Sequence, residues 1–245
     1  MRGFLVAAPK REQLWRKTGK TLDILPEISY NSFAVRVLET QKTADPMRFL
    51  RFLFFGGIDL TLAELYDDLE QCPVIASVHE ELWQEALVSP ATVVFYLKAN
   101  LLTLRQHITQ AHEAGKRVFV HLDLAEGIGK DKTGVEYLAL CGADGLISTR
   151  GQLIKQAKEA GLRTVQRLFA LDSQGISSLC ELSQSASPDL IEIMPGVIGK
   201  LIARFAQGSV PIIAGGLIET KAEVTEALGL GAAAVSTGKK ELWYL

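Results

Sequence analysis

The residues of this chain that could do chemistry stand at the ends of short apolar runs. Residues 210–214 run apolar into Gly215 and Gly216, and residues 232–235 run into Ser236 and Thr237. Paired glycines let backbone approach a ligand closely, and hydroxyls with exposed N–H groups at the start of the next element suit an anion. The four residues predict a phosphate cradle, against the plainer alternative of two tight turns that need small residues and hold no anion. A second set breaks other apolar runs: His121 and Asp123, placed on one strand face by period-two alternation, then Ser148, Thr149 and Arg150, then Gln166 and Arg167, then Glu192. A polar group inside a buried strand costs desolvation unless it meets a partner or a ligand. Glu192 could accept hydroxyls from a polyol, act as a general base, or pair internally with Arg167 or Arg150. Of the adjacent Gln166 and Arg167, only one can face inward. Lys130, in a glycine-containing loop after Asp123, is either solvated or closes over the same site.

The elements that must position these residues alternate regularly. Apolar, strand-like runs occur over 73–78, 92–97, 117–124, 145–149, 163–171, 189–194, 210–214 and 232–236. Helix-like segments lie between them near 80–87, 101–114, 133–140, 152–160, 174–185, 197–206 and 220–228, and Gly115, Gly142, Gly161 and Gly208 stand at helix ends as left-handed caps. Such repeats predict parallel strands with right-handed crossovers. The fold class expected is α/β, a TIM-like (β/α)8 barrel with an N-terminal extension. An open doubly wound sheet is the alternative, weakened because no strand leads into Gly-x-Gly-x-x-Gly. A barrel gathers both residue sets at its C-terminal face.

Residues 59–245 are expected to form the barrel domain, preceded by a helix over 59–71 that Asp59 or Thr61 could cap. Residues 1–58 form the extension. Within it, 1–46 show no sustained period, which fits a weakly ordered arm, a start placed upstream of Met47, or a basic RNA-contacting arm. Up to Gly57 there are ten Lys or Arg against five Asp or Glu, so a net −2 for the chain splits into +5 there and −7 beyond. The net charge of the main domain thus gives no support for a general grip on nucleic acid. Cys72, Cys141 and Cys180 have no metal-ligand spacing and read as buried thiols of an intracellular protein. His79, His107 and His112 read as surface residues. No run is long enough to span a membrane, and neither a metal nor an organic cofactor is implied. A cytoplasmic location is expected.

Several motifs together resemble one family. They are His121-Leu-Asp-Leu-Ala-Glu-Gly-Ile-Gly-Lys-Asp131, Gly142-Ala-Asp-Gly-Leu-Ile-Ser-Thr-Arg150, Gln166-Arg167, Ile193-Met-Pro-Gly-Val-Ile198 and Pro211-Ile-Ile-Ala-Gly-Gly-Leu-Ile218. In combination they are similar to the glycerol-3-phosphate-responsive antiterminators, over residues 72–237. The resemblance implies a barrel regulator and not an enzyme, with glycerol 3-phosphate as effector and leader mRNA of glycerol-utilisation genes as partner. Carried over by motif position, Gly215, Gly216, Ser236 and Thr237 would hold phosphate, while His121, Asp123, Arg150, Arg167 and Glu192 would line the site, with Lys130 beside them. Arg150, Lys155 and Lys158 are candidates for an RNA patch. A phosphopolyol or phosphosugar enzyme, and a sensor acting on a protein partner, are the alternatives. Homo-oligomerisation is left open.

Overall fold

The apolar runs pair in parallel, each with the next in sequence and the last with the first, and so close a ring of eight strands. In this computed structural model residues 60–170 and 186–245 are described. The extension over 1–58, the helix expected over 174–185 and Cys180 lie outside them. The strands are β1 (Val74–Val78), β2 (Val93–Tyr96), β3 (Arg117–His121), β4 (Gly145–Ser148), β5 (Arg163–Phe169), β6 (Leu190–Met194), β7 (Ile212–Gly215) and β8 (Ala234–Thr237). The described helices are α1 (Leu62–Gln71), α2 (Trp83–Val88), α3 (Leu104–Glu113), α4 (Lys132–Cys141), α5 (Gly151–Glu159), α6 (Gly199–Phe205) and α7 (Lys221–Gly229). Gly115, Gly142 and Gly161 do take the left-handed conformation, and Gly208 does not.

Period-two alternation splits the core in two. Inward side chains Ile75, Val93, Phe95, Phe119, Ile147, Val165, Leu190, Ile213 and Ala234 fill the ring, and the alternate residues pack outward against the helices. Each large side chain buried this way stabilises the fold by roughly 1.5–3 kcal/mol. Gly145 must lack a side chain, since a Cβ there would stand 2.3 Å from the Phe119 ring. Leu65 and Leu69 of α1 join the inner cluster, so α1 closes the end of the ring where the strands begin. The helix starts where Thr61 and Glu64 form a reciprocal capping box. At the same end Asp144 and Asp189, just ahead of β4 and β6, accept from the N–H of Val118 and Thr164, each at 2.8 Å.

Two outer features bear on the sequence reading. His107 is not a surface residue: its side chain is 12% exposed, and its ring packs on Trp83 with centroids 4.9 Å apart while Nδ1 meets the Tyr96 hydroxyl at 3.0 Å. Burial pushes its pKa down and that of the Tyr96 phenol up to about 12. Cys72 and Cys141 are buried free thiols.

Candidate ligand site at the mouth of the barrel

Strand ends place the site. The strands are staggered so that inward residues of alternate strands share a level. Following the register round the ring, Phe95, Ile147, Glu192 and Ser236 of the even strands form one level. The next level outward, the floor of the mouth, holds Ser77, His121, Arg167 and Gly215 of the odd strands.

Arg167 faces inward and Gln166 outward, towards the start of α5. The Arg167 Nε donates to Glu192 Oε2 at 2.5 Å, and the Ser236 hydroxyl donates to Oε1 at 2.5 Å. The Arg167 and Glu192 side chains are only 7% and 1% exposed, so this is a desolvated ion pair with its second carboxylate oxygen also satisfied. Gly215 makes room for it. A Cβ at that position would lie 2.4 Å from Glu192 Oε1 and 2.6 Å from Ser236 Oγ. The next residue, Gly216, has φ +76, which L side chains rarely adopt. Its neighbour loop folds against it through the Gly196 N–H, which donates to the Gly215 and Gly216 carbonyls at 2.6 and 3.1 Å. Thr237 Oγ1 donates to the Ile218 carbonyl at 2.7 Å. Both hydroxyl protons of the Ser236-Thr237 pair are therefore committed within the protein. An anion at this edge would have to be held by backbone N–H groups.

His121 ends β3 with its side chain on the floor. It is 4% exposed, and neither ring nitrogen has a hydrogen-bond partner. Burial, reinforced by the Arg167 cation, pushes its pKa down to about 4, so the ring is neutral at physiological pH. Asp123 does not share its strand face. The chain leaves β3 at His121 for a 3-10 turn over Leu122–Leu124, which ends the period-two alternation two residues before Asp123 would continue it. Asp123 instead ties this loop to the end of β4: Oδ2 accepts from Ser148 Oγ at 3.0 Å, Thr149 N at 2.7 Å and Thr149 Oγ1 at 3.1 Å. Its Oδ1 has no hydrogen bond, with Arg150 Nε at 3.4 Å and His121 Nε2 3.8 Å from Oδ2. Arg150 is 56% exposed on the rim. Lys130 donates to the Ala125 carbonyl of its own loop and is partly desolvated, which lowers its pKa.

The structure thus brings Arg167, Glu192, Gly215, Ser236 and His121 together, sets Asp123 and Arg150 at the edge, and turns Gln166 away. Ser77 on β1 escaped the sequence reading. Its Oγ is buried on the floor without a partner, and the available signal was one hydroxyl inside the apolar run Val74–Val78. Lys158, in the last turn of α5, pairs with Asp189 at 3.5 Å near the closed end, about 12 Å along the helix from Arg150 at its start. Arg150 thus stands at the mouth end of α5, and Lys158 at the end where its charge is engaged by Asp189. Among the described residues no group of three His, Cys, Asp or Glu could hold a metal ion, and no helix is long and apolar enough to cross a membrane.

A closed ring of eight parallel strands with helices between them defines the class of TIM-like (β/α)8 barrels, whose functional sites lie at the face where the strands end. Within it, the chain belongs to the family of glycerol-3-phosphate responsive antiterminators, whose model matches residues 74–243. A crystal structure of a glycerol uptake operon antiterminator regulatory protein from Listeria monocytogenes is 36% identical, covering 69% of this chain and 94% of that one, with a TM-score of 0.66. A glycerol uptake operon antiterminator-related protein from Thermotoga maritima is 31% identical, covering 70% and 98%, with a TM-score of 0.64. The uncharacterized protein YgcP of Escherichia coli is 33% identical over 180 residues, 72% of this chain and 94% of that protein. Deoxyribose phosphate aldolase from Aeropyrum pernix, 15% identical with a TM-score of 0.53, shares the fold alone.

Proposed function

We propose that the protein is a cytoplasmic, glycerol 3-phosphate-responsive regulator that binds leader mRNA of glycerol-utilisation genes and lets transcription pass a terminator. The observation that carries this reading is the floor of the mouth. A neutral, buried His121 with both nitrogens unpartnered lies beside the buried Arg167–Glu192–Ser236 chain. Buried polar groups are normally satisfied, so these await a polar ligand. The phosphate of that ligand sits against the backbone of Gly215, Gly216, Ser236 and Thr237, and its hydroxyls lie over His121, Arg167 and Glu192, with Asp123, Lys130 and Arg150 at the edge. No metal or organic cofactor takes part.

RNA then meets the loops around the mouth. Support comes from apolar groups that face solvent there, Leu102 before α3, Phe169 at the end of β5 and Leu217 after β7. An unstacked base can stack on the Phe169 ring, the two leucines extend that apolar surface, and Arg150 on the same rim suits phosphates or a base face. Linkage makes the two bindings reciprocal: the ligand strengthens RNA binding only by favouring the RNA-competent state, and RNA tightens the ligand equally.

The test is a gel-shift titration of leader RNA with and without glycerol 3-phosphate, with phosphorus NMR of the ligand afterwards. Tighter RNA binding with unchanged ligand is expected. Conversion of the ligand would make the protein a phosphopolyol enzyme, and ligand binding with no effect on RNA would point to a sensor with a protein partner. Gly216→Asp, which sets a carboxylate against the phosphate, is expected to abolish the ligand's effect.

A further inference from the structure

We infer that Ser77 is a ligand-binding residue that recognises a neutral hydroxyl of the effector, and that the phosphate takes no contact from it. This rests on the reading of the mouth as a polyol-phosphate site. Ser77 stands on the same level as His121, Arg167 and Gly215, its side chain directed into the ring by the alternation that also directs Ile75. Its Oγ is buried and has no hydrogen-bond partner. The hydroxyl makes no structural bond, yet its burial carries a desolvation cost, so a ligand is the partner that satisfies it.

The floor's charge decides which part of the ligand that is. The Glu192 carboxylate lies one level below, close enough to the Gly215 position to exclude a Cβ, and it accepts from Arg167 and Ser236. A phosphate dianion placed over it would meet a carboxylate whose partner cation, Arg167, is already engaged with it. A neutral hydroxyl, which both donates and accepts, meets no such repulsion and matches the donor-acceptor character of Ser77 and of the neutral His121 ring. The phosphate is accordingly left at the rim, against the β7 and β8 turns, and the carbon chain carries its hydroxyls down to the floor between β1 and β3.

The test uses calorimetric titration of the full-length protein and its Ser77→Ala variant with two ligands, glycerol 3-phosphate and n-propyl phosphate, which keeps the phosphate and lacks both hydroxyls. Ser77→Ala is expected to weaken glycerol 3-phosphate by about fivefold, the scale of one neutral hydrogen bond, to leave n-propyl phosphate unchanged, and to melt at or above the temperature of the wild type when no ligand is present. Equal weakening of both ligands would move Ser77 to the phosphate and overturn the inference. Unchanged affinity for both would overturn it too, and so would a lowered melting temperature without ligand, which would make the hydroxyl structural. Failure of the wild type to bind glycerol 3-phosphate at all would instead overturn the underlying reading of the site.

Discussion

Glu192 and Arg167 form a desolvated ion pair, so the stability of the fold depends on both charges being present together. A carboxylate inside an apolar strand had to be a ligand group, a base or half of an ion pair, and the structure pairs it with Arg167 one level below the floor of the mouth. Removing one partner strands a buried charge, so Arg167→Met is expected to cost about 3–5 kcal/mol in urea unfolding, with Arg167→Met/Glu192→Met recovering most of that loss. The double variant regains stability without regaining glycerol 3-phosphate binding. Gly215 was legible as a close approach but not as to what approaches, because the Glu192 carboxylate comes from a neighbouring strand. Gly215→Ala is expected to cost about 1–3 kcal/mol by overpacking, read from the same unfolding curves. His121 adds a pH dependence. Its folded pKa of about 4 lies below the ordinary 6.5. The fold therefore favours the neutral ring, and that contribution, full above 6.5, is lost as pH falls towards about 4. Unfolding free energy is expected to decline more steeply across this window in the wild type than in His121→Gln. Equal slopes would mean that the ring is solvated.

At the scale of elements, what was legible followed from periodicity and what was not followed from where periodicity stops. All eight strands were marked by apolar runs, since a parallel sheet buried on both faces has no polar face to interrupt them. The end of β3 was missed because Leu122 and Leu124 continue the apolar pattern while the backbone has already turned into a 3-10 segment. That turn carries Asp123 from the floor to the rim, where it fixes the end of β4. His107 was misread for a related reason: its partners Trp83 and Tyr96 lie on other elements, and composition alone cannot bring them together. Caps were more legible, being local. Thr61→Ala, which removes the capping box of the helix that closes the ring, is expected to cost about 1 kcal/mol in thermal or urea unfolding with no change in ligand affinity.

For the whole molecule, the barrel and the convergence of its functional residues at one end were readable from strand count and order, because closure of parallel strands puts every strand end on the same face. Ser77 was not, nor was the choice between Arg167 and Arg150 as the partner of Glu192, since both depend on register round the ring. Nor could the acidic net charge beyond Gly57 show how RNA is held, and of the three basic residues offered for it Lys158 is paired with Asp189. The proposed effector site draws on barrel residues alone, so deleting residues 1–46 is expected to leave the affinity for glycerol 3-phosphate unchanged by calorimetry. The most direct measurement of the central claim is calorimetric titration of glycerol 3-phosphate into the protein with and without saturating leader RNA. The account predicts saturable binding of an unconverted ligand that tightens when RNA is present. Absence of binding, or an affinity indifferent to RNA, would contradict it.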